Sequence, residues 1–214
     1  MDDLEHAQPN PSRRSDQKEA TRRALVRAAL DRFDRRGYAA TSIADITAAA
    51  GVAKGTFYVH FESKEALLDG ELAVFNAALA SELVRAVATL PADPLETLVR
   101  AISERALAHF LAHRPFVKAY AERSTFGLDV TALPFGINPE VRQVLAPILA
   151  AKFPAMPERE TELVVHGVLA LFLRLLLSAV FRDDVEPEDV VAVLVRMTTG
   201  ALSAYADDPK RGLP

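Results

Sequence analysis

A short segment in the first third of the chain concentrates side chains that can bind through charge or hydrogen bonds. Lys54 is a cation, Thr56 and Tyr58 carry hydroxyl groups, and His60 has two ring nitrogens. Gly55, which lies among them, has no side chain and so allows another molecule to approach the backbone closely. Groups of these kinds on one helix face suit the base edges and phosphates of a DNA major groove.

The residues around this segment predict two short helices joined at Gly51. Ser42 and Asp45 form a capping pair at the start of the earlier helix, and Gly51 permits the left-handed backbone that ends it. Apolar residues on both helices are expected to fix their crossing: Ile43, Ile46, Val52 and Phe57. This is the layout of a helix-turn-helix.

Longer helices are predicted on both sides of this pair. The first spans residues 17–36, capped by Asp16 and Glu19 and closed by Gly37. The fourth begins after Ser63 and runs to Pro91 on an apolar stripe. Residues near the helix starts can reach phosphates through charge or backbone amides: Lys18, Arg22, Arg23, Thr41 and Ser42.

Charge is divided unevenly along the chain. Residues 13–64 carry 11 Lys and Arg against 6 Asp and Glu, a net charge of +5, whereas the remainder carries −9. A basic module joined to an acidic body predicts that only the N-terminal part meets a polyanion.

The sequence TSIADITAAAGVAKGTFYVHFESKEALL closely resembles the DNA-binding signature of the tetracycline-repressor (TetR/AcrR) family of bacterial regulators, and the likeness extends over residues 17–72. The resemblance implies a two-fold dimer on DNA. It also implies roles by position: phosphate contacts at Thr41, Ser42 and Lys64, and recognition-helix contacts at Lys54, Gly55, Thr56, Tyr58 and His60. Two departures stand out, because Ala53 lies where the family often has a capping serine and Thr47 replaces a small alanine.

Several of these residues have a second interpretation. Phe57 and Phe61 are expected in the core, and Tyr58 could cover the domain while its hydroxyl touches a phosphate. His60 could pack beside Phe61 instead of donating to DNA. Three further arginines are expected to form a solvated face: Arg27, Arg32 and Arg35.

Helical signals continue through the rest of the chain, so the predicted class is all-α with about nine helices. Asp93, Pro94 and Glu96 predict the N-cap, first and third positions of a fifth helix. Later helices are expected to start near Phe116, Pro139, Glu158 and Pro187. The predicted organisation is a flexible tail (1–16), a helix-turn-helix domain (17–62) and an effector-binding and dimerisation domain (63–214).

The segment Leu163–Phe181 is apolar around nearly its whole circumference, which fits either a membrane span or a buried helix. His166 and Arg174 favour burial, because an arginine at mid-membrane costs about 2.5–3.5 kcal/mol. With the next helix it resembles the pair that forms a four-helix bundle across the family's dimer axis. The residues expected at that interface are Leu163, His166, Leu169, Leu173, Leu177, Val190, Leu194, Met197, Ala201 and Tyr205.

The resemblance also places a small-molecule cavity in the C-terminal part, and aromatic walls with a few polar tips are typical of such pockets. The residues expected around it are Phe75, Leu79, Phe110, His113, Phe116, Tyr120, Phe126, Phe135 and Val144. Effector binding would act through the fourth helix, which joins the DNA-binding module to the cavity.

His109 and His113 are spaced four residues apart, which would let both imidazoles face one metal ion, with His166 or Glu104 as a third ligand. Arg105 and Arg114 disfavour a cation there. A role in the pocket, in a metal site, or in neither remains open.

The chain as a whole favours a cytoplasmic regulator. It has no cysteine, its first residues lack the apolar region of a secretory signal, and it contains no nucleophile elbow, phosphate loop or zinc-protease motif. We therefore expect no enzyme activity and no cofactor. The expected function is a homodimeric repressor that binds palindromic operator DNA and is released by a small, largely apolar effector; a helical enzyme or a dimeric adaptor without DNA readout is the alternative.

Overall fold

The computed structural model describes residues 11–88, 90, 94–123 and 139–207 of the 214-residue chain. These residues form nine α-helices without a strand, which confirms the predicted all-α class. The helices are α1 (Pro11–Arg36), α2 (Ile43–Ala50), α3 (Lys54–His60), α4 (Lys64–Ala88), α5 (Leu95–Ala112), α6 (Arg114–Arg123), α7 (Pro139–Lys152), α8 (Glu158–Phe181) and α9 (Pro187–Asp207).

The chain divides into two compact units, Met1–Asp69 and Gly70–Pro214. The predicted boundary between residues 62 and 63 lies too early, because the first turns of α4 belong to the first unit. In that unit α1 packs against α2 and α2 against α3. The core consists of side chains that are almost fully buried: Leu25, Ala29, Phe33, Ile46, Phe57, Leu67 and Leu68.

The first helix is longer than predicted. α1 begins at Pro11, so residues 11–16 belong to a helix, and the prediction of a flexible tail is wrong for them. Asp16 and Glu19 lie inside this helix and do not cap its start. Proline is common in the first turn of a helix, where its missing N–H group would have no partner in any case. The other part of the predicted tail, residues 1–10, lies outside the described residues.

In the second unit α5 is the central helix, packed against α6, α8 and α9, while α7 packs on α8. The predicted starts at Pro139, Glu158 and Pro187 are confirmed. α5 starts one residue later than predicted, because Pro94 is its N-cap, and α6 starts at Arg114 and not at Phe116. Asp93 lies outside the described residues.

α8 is the single described helix that could cross a membrane by length and composition, with a mean hydropathy of 2.3 over its most apolar window. It nevertheless packs against four other helices, α5, α6, α7 and α9. Contact with several neighbours is what an all-round apolar helix needs inside a protein core. This packing favours the buried-helix alternative.

His109 occupies a buried position among aromatic rings in the second unit. Only 2% of the residue is exposed, and its ring centroid lies 4.4 Å from that of Phe75 and 4.4 Å from that of His113. Its Nε2 lies 3.1 Å from the Phe75 carbonyl oxygen. Because a carbonyl only accepts, Nε2 carries the proton, and Nδ1 faces Glu82 Oε1 at 3.5 Å without a hydrogen bond.

Burial lowers the pKa of His109 below its usual value, and the neighbouring His113 charge lowers it further. Protons therefore bind the unfolded chain more readily than the folded one at mildly acid pH. The stability that neutral His109 contributes is fully present above its unfolded pKa of about 6.5 and is lost as the pH falls through its folded pKa.

We expect His109→Gln to flatten the acid side of the pH–stability profile, because the replacement cannot take up a proton. The free energy of unfolding, measured by urea denaturation between about pH 7 and pH 5, checks this. At neutral pH the variant should lose about 1 kcal/mol, the usual net contribution of one hydrogen bond. The control is His113→Gln. It removes the contribution of the His113 charge to the lowered pKa of His109 but leaves the larger contribution of burial, so most of the change of stability with pH should remain. A His109→Gln profile as steep as the parent's would contradict the assignment.

Candidate nucleic-acid interface and ligand cavity

The turn between α2 and α3 is formed as the sequence predicts. Ser42 Oγ accepts from the Asp45 N–H group at 3.1 Å, and the Asp45 carboxylate accepts from the Ser42 N–H group at 3.0 Å, so the capping box is complete. The pKa of Asp45 is lowered, first by the hydrogen bond from the Ser42 hydroxyl to its carboxylate and then by the one from the Ser42 N–H group. Gly51 ends α2 with φ of +68°, a left-handed conformation that side chains disfavour. Ala53 provides no side-chain cap for α3, as predicted.

α3 has one buried and one exposed side. Phe57 is fully buried and Phe61, which follows the helix, is 6% exposed, so the aromatic pair anchors the helix as predicted. Lys54 and Gly55 are exposed, Tyr58 is 53% exposed, and Thr56 is half-buried beside them. Because a helix of seven residues is too short to be stable alone, this anchoring sets the direction in which the exposed side chains point.

Val59 was not predicted as a site residue, yet it has the most exposed large apolar side chain of α3, at 66%. An aliphatic side chain on an otherwise polar recognition surface is suited to the 5-methyl group of thymine. The sequence offered one indication of this role, because Val59 is an apolar β-branched residue that does not belong to the predicted set of core residues.

Three cations of α1 are predicted phosphate contacts. Lys18 and Arg23 are exposed, and the Arg22 guanidinium lies 5.2 Å from the Phe61 ring centroid. The pKa of His60 is lowered first by its partial burial and then by the charges of Lys18 and Arg22. His60 therefore senses a positive potential of the kind that attracts phosphate. Its own ring is half-buried, 6.4 Å from the Phe61 ring, which agrees with the packing alternative.

Two predicted phosphate contacts have structural roles instead. Thr41 is 2% exposed, and its hydroxyl donates to the carbonyls of Gly37 at 2.8 Å and Arg32 at 3.3 Å. The side chain is therefore unavailable to DNA, and the prediction is wrong for it. A buried hydroxyl without these partners would be costly, which explains why it turns inward.

Lys64 connects the start of α4 to the loop before α2. Its ammonium donates to the Tyr38 carbonyl at 2.7 Å and to the Thr41 carbonyl at 2.8 Å, and it lies 4.0 Å from the Tyr38 ring centroid. Tyr38 in turn donates its hydroxyl to Glu65 and lowers the pKa of that carboxyl group. Two of the three ammonium protons are thus used within the domain, so the predicted role as a free phosphate contact needs correction.

Ser42 is exposed, as a phosphate contact should be, but its hydroxyl donates to Asp45 Oδ2 at 2.6 Å. To contact a phosphate through its O–H group it would have to exchange this partner. The remaining candidates for direct contact are therefore concentrated on α1 and α3.

A largely apolar cavity of ≈ 50 Å³ lies within the second unit. Residues of α4, α5, α7 and α8 line it: Phe75, Asn76, Leu79, Leu83, Ile102, Ala106, Phe110, Val141, Leu145, Leu169, Phe172, Leu173 and Leu176. Asn76 is the single polar residue of this lining. It is 9% exposed, and its Oδ1 has no hydrogen-bond partner.

The structure places the predicted ligand residues in three groups. Phe75, Leu79 and Phe110 line the cavity. Phe116 and Tyr120 are buried in the adjoining aromatic cluster, where the Phe116 ring centroid lies 5.3 Å from that of Phe75, so they do not reach the cavity. Two more do not line it either, the exposed His113 and the half-buried Val144. The last two, Phe126 and Phe135, lie outside the described residues.

Asn76 was missed because its amide interrupts an apolar stripe and gives no periodic signal. The cavity also takes two residues, Leu169 and Leu173, that the sequence assigned to dimerisation. Both residues lie on the side of α8 that faces this cavity and α5. The spacing of apolar residues in the sequence does not reveal which side of α8 that is.

The remaining predicted dimerisation residues separate by burial. Three are almost wholly buried within this chain, as Leu173 is, and are wrong as surface contacts: Leu177, Val190 and Leu194. Tyr205 is half-buried. Four others are exposed, Leu163, His166, Met197 and Ala201, with Leu163 at 57% and Met197 at 50%. The prediction is wrong for the buried residues because α8 and α9 are apolar on more than one side, and the sides that carry these residues pack inside the chain, where α5 contacts both helices.

The exposed members lie on α8 and α9, and together with other exposed residues of these two packed helices they form what we call the α8–α9 face. It consists of Leu163, His166, Gly167, Arg174 and Phe181 on α8 and Val193, Met197, Gly200, Ala201 and Ala204 on α9. A Cβ atom added at Gly167 or Gly200 would meet no atom within 4 Å. These glycines are therefore not required by packing inside the chain.

Among the described residues, no group of three or more His, Asp or Glu side chains is positioned to hold a metal ion. His166 lies on the α8–α9 face and Glu104 is exposed on α5, while both ring nitrogens of His109 are directed at Phe75 and Glu82. His109 and His113 therefore lie side by side, but neither Glu104 nor His166 joins them as a third metal ligand.

Residues 25–70 match the family model described as bacterial regulatory proteins, tetR family. The chain is 56% identical over 45 residues to the HTH-type transcriptional repressor DhaR of Mycobacterium sp. (strain GP1), an alignment that covers 21% of this chain and 23% of DhaR. It is 25% identical over 147 residues to the HTH-type transcriptional regulator BetI of Vibrio campbellii, covering 69% of this chain and 74% of BetI.

A similar fold is found in the crystal structure of a tetR-family transcriptional regulator from Streptomyces coelicolor. The TM-score is 0.65 at 23% sequence identity, and the match covers 88% of this chain and 83% of that one. The structural match extends over both units, whereas the sequence match is strongest over α1 to the start of α4, where the predicted signature lies. Residues 25–70 of the first unit therefore form a helix-turn-helix of the tetR-family type, and the described helices share the fold of the solved tetR-family regulator.

Proposed function

We propose that the protein is a cytoplasmic, ligand-responsive repressor that binds a palindromic operator as a homodimer and is released by a small, mainly apolar effector. The observation that carries the proposal is the recognition surface of α3. Phe57 is buried beneath it, while Lys54, Gly55, Tyr58 and Val59 face outward. No enzymatic role is needed to account for this arrangement.

Each group on this surface has a counterpart on DNA. Lys54 suits the O6 and N7 acceptors of guanine, Thr56 can donate to or accept from a base edge, and Val59 suits a thymine methyl group. Arg22, Arg23 and Lys18 supply charge for phosphates, which positions the helix without reading sequence. Tyr58 is assigned to a phosphate, because its exposed ring ends in a hydroxyl group.

A dimer is proposed because a palindromic site needs two recognition helices about 34–36 Å apart. The α8–α9 face supports this assignment, since its exposed apolar side chains flank two glycines that leave room for a second backbone. Small residues of this kind allow helices to pack closely across a two-fold axis.

Release by an effector is proposed through α4. This helix starts in the DNA-binding unit, and its later residues Phe75, Asn76, Leu79 and Leu83 line the cavity of the second unit. A ligand that binds one packing of α4 more tightly than another would shift the population of DNA-binding dimers.

The DNA assignment is tested by replacing Lys54 and Thr56 together with alanine. The parent should bind DNA from its own upstream region with an affinity that falls steeply with salt. The double variant should lose its preference for that DNA over unrelated sequence by at least about tenfold, since each base contact contributes about 1–3 kcal/mol. Fluorescence anisotropy over a salt series measures both quantities.

Lys118→Ala, which removes one cation from α6, is the control and should leave the preference intact. If the double variant discriminates as well as the parent, α3 does not read the operator. If the parent shows neither preference nor salt dependence, the adaptor alternative gains support instead.

Gly55→Ala tests close approach of the α3 backbone to DNA. A Cβ atom at this position meets no protein atom within 4 Å, and alanine is favoured over glycine in a helix by about 1 kcal/mol. We therefore expect an unchanged or higher melting temperature together with operator binding weakened about tenfold, the effect of losing about 1.4 kcal/mol. Calorimetry and anisotropy on the same preparation check the two effects. Undiminished binding would show that DNA does not approach this backbone.

Gly200→Glu tests the α8–α9 face. The added side chain has room within the chain, so the fold should be retained, but a carboxylate at the centre of the interface should separate the subunits. Sedimentation equilibrium should show a shift from dimer to monomer, and operator affinity should fall with it. Thr97→Glu adds the same charge to an exposed position of α5 and should remain dimeric. A dimeric Gly200→Glu protein would exclude this face as the interface.

A further inference from the structure

Two cavities lie side by side in the second unit. The cavity that contains Asn76 shares three wall residues with another cavity of ≈ 50 Å³, namely Ile102, Leu145 and Phe172. The second cavity extends away from this wall between α5, α7, α8 and α9, and Thr198 is its single polar lining residue. Three side chains therefore stand between two small apolar spaces.

Each cavity is lined by one residue that has a buried polar atom without a hydrogen-bond partner. Asn76, whose Oδ1 lacks a partner, lines the first cavity, and Thr198, whose Oγ1 lacks a partner, lines the second; the two residues are 9% and 3% exposed. Threonine in a helix commonly satisfies its hydroxyl on the carbonyl four residues earlier. The adjacent Thr199 does so at 2.7 Å from the Val195 carbonyl, whereas Thr198 Oγ1 makes no such bond.

An unpartnered polar atom in an apolar cavity weakens the folded state, so it needs an explanation other than stability. Replacing either residue by an aliphatic one would remove this cost. Two such atoms in adjoining cavities point to a ligand that supplies the missing partners.

The linings also restrict the charge of that ligand. Neither cavity is lined by Lys, Arg, His, Asp or Glu. A carboxylate or an ammonium group buried here would be left without an opposite charge, at a large cost in free energy. A neutral molecule carries no such cost.

The shape of the ligand follows from the three side chains that separate the two cavities. One water molecule needs roughly 10–15 Å³ of such space, so each cavity admits only a few water-sized groups. A larger occupant has to displace Ile102, Leu145 and Phe172, which would join the two spaces into one. The joined space would have the Asn76 amide on one side of the former wall and the Thr198 hydroxyl on the other.

We propose that this effector, whose existence rests on the proposed function, is a neutral, elongated and mainly hydrocarbon molecule with a hydrogen-bonding group at each end. One end pairs with Asn76, and the other pairs with Thr198. The hydrocarbon middle replaces the three side chains of the wall.

The test measures binding of four probes to the full-length protein by calorimetry: n-octanol, the corresponding straight-chain α,ω-diol, octanoate and octylammonium. The diol should bind about two- to tenfold more tightly than the alcohol, the range expected for one added hydrogen bond. Octanoate and octylammonium should bind at least about tenfold more weakly than the alcohol, because their charges would be buried unpaired.

Two variants test which residue binds each end of the ligand. Thr198→Val, which keeps the shape and removes the hydroxyl, should abolish the preference for the diol over the alcohol. Asn76→Leu should weaken binding of the diol. Both variants should melt no lower than the parent, since each loses an unpartnered polar atom. Thr199→Val is the matched control, because its hydroxyl is bonded within α9, and it should keep the parent's preference.

Three results would overturn the inference: octanoate or octylammonium binding as tightly as the diol, a Thr198→Val protein that keeps the full preference, or a parent that binds neither alcohol nor diol. The proposed function is tested separately with operator DNA and the same probes. If the protein prefers the diol to the other probes but the diol does not release operator DNA, the proposed binding of a neutral two-ended ligand is supported and its role as an effector is wrong.

Discussion

The burial of Phe57 is the constraint on which the DNA-binding surface depends. α3 has seven residues and no side-chain cap, so it gains little stability from its own hydrogen bonds. Its orientation comes from this fully buried aromatic side chain, which removes one side of the helix from water. The opposite side is exposed as a consequence, and it carries the cation, the glycine and the polar groups that we propose for DNA recognition.

Polar groups near this surface divide their roles according to burial. Thr41 and Lys64 carry functional groups that could bind phosphate, but these groups donate hydrogen bonds to backbone carbonyls within the domain. They hold the loop before α2 against the start of α4. Lys54 and Arg23 are exposed to solvent, where a polyanion can reach them.

In the second unit, two buried residues reduce the stability of the fold and are proposed to bind a ligand. Its core is aliphatic and aromatic, and a buried hydroxyl such as that of Ser103 is paired with a backbone carbonyl, here that of Val99 at 2.7 Å. Asn76 and Thr198 depart from this rule at adjoining cavities. A fold optimised for stability alone would place aliphatic side chains there, so the two residues mark the region where recognition and stability compete.

The sequence by itself determined the helical class, the capping box at Ser42, the turn at Gly51 and the outward set on α3, because these features depend on residues close together in the chain. Tertiary structure decided that Thr41 is buried, that Leu173 and Leu194 belong to the core, and that Asn76 faces a cavity. The physical reason is that α8 and α9 are apolar on more than one side. Only the packing of α5 against them determines which apolar side is hidden within the chain and which is left for another molecule.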